Sequence, residues 1–184
     1  MSIAQQTITA LEFEELTFER PTELVRGEIV ELPGTFMRHG VVCASIIGIL
    51  GLWVRDSGWG RGMCNSPPIL TERDPDSVRG PDCAFIRFDR LPGGKLPAGV
   101  LTIPVDLAIE VLSPSDRWTD VMEKVLEYLK SDVSEVWVVD PEKRTIAIHR
   151  ADQTPVYLAE SETLTRPDLL PGFACQVAEF FADL

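Results

Sequence analysis

A chain of 184 residues with 45% hydrophobic side chains can close one good core but divides poorly into two, so a single domain over residues 1–184 is expected. Its net charge of −12 is spread unevenly, with 10 Lys+Arg against 13 Asp+Glu over residues 1–95 and 7 against 16 over residues 96–184. That balance lacks the basic footprint of a tight, indiscriminate binder of phosphate backbones, although bound divalent metal and the Arg-rich first half offset part of it.

The longest mostly apolar stretch, residues 41–54, contains Gly48 and Gly51 and falls short of the roughly 20 residues a membrane span needs. The beginning of the chain lacks the basic-then-apolar order of an export signal, so no membrane association and a cytoplasmic location are expected. Cys43, Cys64, Cys83 and Cys175 are scattered, with no C-x-x-C pair and only His39 and His149 as imidazole partners. Small buried thiols in a reduced protein are expected, and zinc is not.

Thr9-Ala10-Leu11-Glu12 has capping-box spacing and predicts a short helix to about Phe18. Residues 22–25 and 28–32 flank Arg26-Gly27, a tight turn between two short strands, and Pro33-Gly34 ends that hairpin. Over residues 36–55, Val42, Ile46, Ile49, Leu50 and Trp53 recur at helical spacing, and Gly48 and Gly51 are expected to admit a close neighbour. Strands follow over about 63–72, 82–88 and 105–112, with a Pro- and Gly-rich loop at 91–97. Residues 116–130 form a helix with a stripe of Val121, Met122, Val125, Leu126 and Leu129, capped from the segment 113–116. Strands at 135–139 and 144–150 surround the turn Asp140-Pro141-Glu142-Lys143, and a final short helix is expected near 177–182. A mixed α/β domain is the natural class, with two strands joined through a helix.

Alternation along residues 105–112 puts Val105, Leu107, Ile109 and Val111 on one face and Asp106, Ala108, Glu110 and Leu112 on the other. Glu110 thus sits inside an apolar strand, where a carboxylate needs either a metal ion or a structural cation. Asp82, after Pro81, opens a neighbouring strand. It is either a turn cap or a second carboxylate converging on the first, and two carboxylates suffice for Mg²⁺, which fills its octahedron with water and phosphate. Lys124 falls outside the apolar stripe of its helix, on the side of Arg117, Asp120 and Tyr128. It is either exposed and paired with Asp120 or free to reach a site. Trp53, Arg55, Trp59 and Arg61 interleave rings and cations, as a stacking platform does, or as core tryptophans with solvated arginines do.

The run Pro81-Asp82, the segment from Asp106 through Glu110-Val111-Leu112-Ser113-Pro114-Ser115 to Asp116, Lys124 with Tyr128, and Glu135-Val136-Trp137-Val138-Val139-Asp140-Pro141 together resemble the Uma-two family of restriction-endonuclease-like proteins. That family lies within the PD-(D/E)XK nuclease superfamily. Gly27-Glu28, His39 and Leu170-Pro171-Gly172-Phe173 extend the likeness over nearly the whole chain. The resemblance implies an α/β, restriction-endonuclease-like mixed sheet flanked by helices, here with an added N-terminal helix and hairpin. It also implies cleavage of nucleic-acid backbones, of DNA foremost, with Mg²⁺ as cofactor, Mn²⁺ as a substitute, and Asp82 and Glu110 as metal ligands. The superfamily's usual lysine lies two residues after the glutamate, where this chain has Leu112, so Lys124 resembles a migrated replacement.

Glu28 is a further candidate ligand or water-orienting group, and otherwise an exposed turn residue. His39 is a candidate pocket residue, and otherwise structural. A homodimer is the expected assembly. Two rival readings stand beside the nuclease: a catalytically silent module that binds nucleic acid or a protein partner, and a purely structural homodimer in which residues 136–139 or another strand pairs across an interface.

Overall fold

The computed structural model describes residues 7–34 and 36–184. Thr9 caps α1 (Ala10–Glu14) through the reciprocal box with Glu12, and the helix ends at Glu14 rather than near Phe18. The chain folds back there, with the Phe13 and Phe18 rings 5.0 Å apart. β1 (Thr22–Val25) and β2 (Glu28–Glu31) form the expected hairpin, and Arg26 and Gly27 both take positive φ, as the two central residues of a tight primed turn must.

α2 (Met37–Ser57) buries His39, Val42, Ile46, Leu50 and Val54 along one stripe and stops at Gly58 in the left-handed conformation. It is long and apolar enough to cross a bilayer by length and composition, and its buried stripe packs into the core of the domain. Gly48 and Gly51 do not serve close packing as expected, since a Cβ at either would meet nothing within 4 Å.

The strand expected over 63–72 is two strands in different sheets, β3 (Gly60–Cys64) and β4 (Ile69–Glu72). Asn65 and Ser66 at positive φ and the following Pro67-Pro68 break it. Then come β5 (Ser77–Arg79), β6 (Cys83–Arg87), β7 (Leu107–Val111), α3 (Trp118–Lys130), β8 (Glu135–Asp140), β9 (Thr145–His149), β10 (Val156–Ala159), β11 (Thr163–Arg166) and β12 (Leu170–Gln176), ending in a 3₁₀ turn over Val177–Phe181. The loop expected at 91–97 carries a 3₁₀ turn, Pro92–Gly94. The cap expected for α3 is absent: Asp116 Oδ2 accepts instead from the Ser113 amide at 2.7 Å, and Arg117 at the N-cap makes no side-chain cap bond.

The main sheet has the order β10-β9-β8-β7-β6-β3. All its pairs are antiparallel except β7 and β8, which run parallel and are joined through α3. Because β8 lies between β7 and β9, both its edges are filled, and residues 136–139 are closed to pairing across an interface. A smaller sheet, β2-β1-β5-β4, stands beside it, and β11 pairs with β12.

Strict alternation divides the core. Leu107, Ile109, Val111, Trp137, Val139, Cys83 and Phe85 pack with α2 on one side, while Ala108, Val136, Val138, Ala84 and Ile86 pack with Val121, Val125 and Tyr128 of α3 on the other. Glu110 therefore projects toward α3.

Candidate active site

Three elements converge at the end of β7. The antiparallel register pairs Cys83 with Ile109, so Asp82, the residue before β6, comes alongside the Glu110 end of β7. Asp82 Oδ2 accepts from the Val111 amide at 2.7 Å and lies 3.0 Å from His39 Nε2 at the first turn of α2. Glu110 Oε1 accepts from the Tyr128 hydroxyl at 2.9 Å, and its Oε2 lies 3.6 Å from Lys124 Nζ. Asp82, Glu110 and Lys124 share one cavity of about 350 Å³, which Ser115, Arg117 and Asp120 also line.

Lys124 is not the exposed partner of Asp120. Its closest carboxylate is Glu23 on β1, at 2.9 Å from Oε1. Glu23 is 2% exposed and accepts twice more, from the Gly80 amide at 3.1 Å and from Arg79 Nη1 at 2.9 Å. Gly80 is required there, because a Cβ would come within 2.8 Å of the Ser66 Cβ. Arg79 also donates through Nε and Nη2 to Glu127 Oε2, which places a second α3 residue in the same buried network. Truncating one partner of such a network strands buried charge, at a cost of about 3–5 kcal/mol.

Burial pushes the Glu110 carboxyl up to about 7. Lys124 opposes the rise, Asp82 and Glu23 add to it, and the Tyr128 hydrogen bond opposes it. Burial pulls the Lys124 ammonium down, but Glu110 and Glu23 more than offset this and hold it above its ordinary value. The hydrogen bond to Asp82 lifts His39 to about 10, so it is an imidazolium at neutral pH. The donor set suits a hard divalent cation: two carboxylate residues lining one cavity that has room for water. A cation beside both would favour the ionised Glu110 carboxylate against the burial, and the lesser repulsion from Asp82, that raise it.

The family model Uma2, described as "Putative restriction endonuclease", matches residues 10–178. The chain belongs to the Uma2 family. A solved structure described as "a putative nuclease belonging to DUF820 from Anabaena variabilis" is similar to it at a TM-score of 0.83 and 22% identity, over 95% of this chain and 98% of that one. Likeness at that identity establishes a common fold, the mixed sheet with flanking helices that the resemblance implied. No curated protein matches the chain.

Within this Uma2 domain the structure brings together Asp82, Glu110, Lys124 and His39, and leaves Glu28 aside. Glu28 is exposed on β2, and the buried glutamate of the hairpin is Glu23 on β1. Sequence reasoning missed Glu23, Arg79 and the inward-facing Tyr128. The stripe of α3 is rotated accordingly, with Tyr128 fully buried and Leu126 53% exposed. Trp53 is half-buried and packs against the core, its ring centroid 5.5 Å from Phe85 and 6.0 Å from Phe173, whereas Trp59 is exposed, Arg55 pairs with Asp56 and Arg61 lies over Phe88. All four cysteines are free, but Cys64 is exposed and Cys43 only half-buried.

Proposed function

We propose that this Uma2 protein is a divalent-metal-dependent endonuclease that hydrolyses phosphodiester bonds in DNA. The observation that carries the reading is the convergence of Asp82, Glu110 and Lys124 on one cavity, from the residue before β6, from β7 and from α3. Asp82 and Glu110 would hold Mg²⁺, with Mn²⁺ as a substitute, and the bound ion supplies charge neutralisation at phosphate and a more acidic water.

The chain's own residues supply the rest. Lys124, kept charged by Glu23 and Glu110, stabilises negative charge developing on a phosphate oxygen or positions the attacking water. His39 and the Val111 amide fix the Asp82 carboxylate, and Tyr128 fixes that of Glu110. Arg117, on the cavity wall, is placed to meet a flanking phosphate.

The net charge of −12 favours the rival reading, a silent module that binds a partner without cleaving it. One experiment separates the two: supercoiled plasmid is incubated with the protein and Mg²⁺ or Mn²⁺, with a chelator control. The nuclease reading expects nicked and linear products only with free metal. Intact plasmid at every metal concentration supports the silent module.

A further inference from the structure

A second cavity, of about 570 Å³, adjoins the catalytic one, and the two share His39, Leu112, Ser113 and Asp116 in their walls. That volume lies within the roughly 300–1,000 Å³ typical of small-ligand pockets. Its far side is built from Phe36, Met37 and Arg38 at the start of α2 and from Asp140, Pro141 and Glu142 at the end of β8, none of which lines the catalytic cavity.

The character of this wall selects its occupant. Phe36, Met37, Leu112, Pro114 and Pro141 make it apolar, and the Phe36 ring stands half-exposed rather than packed into the core. Around that surface stand three carboxylates, Asp116, Asp140 and Glu142, against the single guanidinium of Arg38. Such a rim repels a phosphate and admits a neutral, planar ring. Asp140 is already committed, its Oδ1 to the amides of Glu142 and Lys143 at 3.0 Å each and its Oδ2 to Lys143 Nζ at 3.0 Å. Asp116 uses only Oδ2, on the Ser113 amide, and Glu142 is exposed, so these two carboxylates are placed to accept from an amino group on the ring.

A nucleobase with an exocyclic amine has both properties, a π-face for Phe36 and N–H donors for Asp116 and Glu142. In a duplex its faces are stacked and its amine is paired, so an unpaired base enters such a pocket without the cost of extrusion. We propose that the second cavity is a base subsite, which takes the unpaired, amino-bearing base of a nucleotide adjoining the scissile phosphate, so that the substrate is single-stranded or locally melted DNA. Negative supercoiling eases local melting, so a supercoiled plasmid also presents such bases. The place of that nucleotide beside the cleaved bond rests on the nuclease reading, whereas capture of the base does not.

The test measures fluorescence anisotropy of labelled DNA on the full chain, with Ca²⁺ in place of Mg²⁺ so that binding is read apart from cleavage. The probes are a short deoxycytidine strand, the same strand annealed to its complement, and a thymidine strand, whose base has no exocyclic amine. The deoxycytidine strand is expected to bind about tenfold tighter than either of the others. Phe36→Ala should weaken that strand about tenfold and leave the duplex unchanged, and Phe36→Trp, which keeps a stacking ring, should retain binding. Glu142→Ala should narrow the preference for deoxycytidine over thymidine at least threefold. Equal affinity for strand and duplex, equal affinity for the two single strands, or full binding by Phe36→Ala overturns the subsite. With Mg²⁺, the single strand should be cut at least tenfold faster than its duplex. Cleavage of both at one rate overturns the subsite and leaves the nuclease reading standing. A protein that binds single strands through Phe36 yet never cleaves them contradicts the nuclease reading and leaves the base pocket standing.

Discussion

Lys124 on α3 is held 2.9 Å from Glu23 on β1, so the small sheet, which carries none of the three principal site residues, sets the position of the lysine. Glu23→Gln keeps one side-chain oxygen, for Gly80 or for Arg79 but not for both because they bond different carboxylate oxygens, and removes the charge that draws Lys124. Its cleavage rate is expected to fall at least about tenfold with metal affinity nearly unchanged. Glu23→Ala leaves Arg79 with Glu127 alone and Lys124 with Glu110 alone, and is expected to lose about 3–5 kcal/mol in denaturant unfolding. A Glu23→Gln protein that cleaves at the unaltered rate would remove Glu23 from the account.

The Glu110 carboxyl ionises near its ordinary 4.5 in the unfolded chain and at about 7 in the folded one. Between those values the folded state binds more protons, so this group makes the metal-free protein less stable as pH rises from about 4.5 to 7, by on the order of 3 kcal/mol. Denaturation series at several pH values should show that decline in the unaltered protein and a flatter profile in Glu110→Gln. Mg²⁺ should restore stability above pH 7, and its binding below pH 7 should release protons in calorimetry. Identical profiles for the two proteins would contradict the assignment.

Tyr128→Phe deletes the hydroxyl that donates to Glu110 Oε1. Because that hydrogen bond favours the ionised carboxylate, the variant's Glu110 should ionise at still higher pH, and the rise of cleavage with pH should move in the same direction. The stability cost is expected to be about 1 kcal/mol. An unmoved pH profile with the same stability loss would leave Tyr128 a packing residue only.

The chain has two histidines, which makes their titration easy to read by NMR. His39, bonded to Asp82, should show no protonation change between pH 6 and 8 and a midpoint at about 10, whereas burial pushes His149 below its ordinary 6.5. As His39 has the raised value, its contribution to stability is present below about 6.5 and is lost as pH rises toward 10. Asp82→Asn should bring the His39 midpoint down by more than one unit. A His39 midpoint near 6.5 in the unaltered protein would break the His39–Asp82 pair.

The chemistry-bearing strand and the helix after it were legible because periodicity exposes an intruder: Glu110 breaks an apolar face, and Lys124 lies off an apolar stripe. Glu23 carries no such mark. Its neighbour Leu24 is fully buried as well, so β1 is covered on both faces, and alternation in a short hairpin cannot reveal that. The partners of Glu23, Gly80 and Lys124, are far along the chain, so nothing local marks it out. Tyr128 was read on the polar side of α3 for a related reason: its ring is drawn inward by the hydroxyl's bond to Glu110, a tertiary contact that overrides the order of apolar residues. β10 was missed because it is an edge strand with mostly exposed side chains, and β3 and β4 were fused because the break lies in backbone conformation at Asn65 and Ser66.

The central claim, that Asp82 and Glu110 bind the metal while Lys124 serves the reaction, is tested most directly by measuring Mn²⁺ affinity and single-turnover plasmid cleavage on the same samples of Asp82→Ala, Glu110→Ala and Lys124→Ala. The account predicts that the two carboxylate variants lose both, and that Lys124→Ala keeps its affinity while its cleavage falls about a hundredfold or more. Nicking that survives all three substitutions, or a Lys124→Ala protein that cleaves at the unaltered rate, would contradict it.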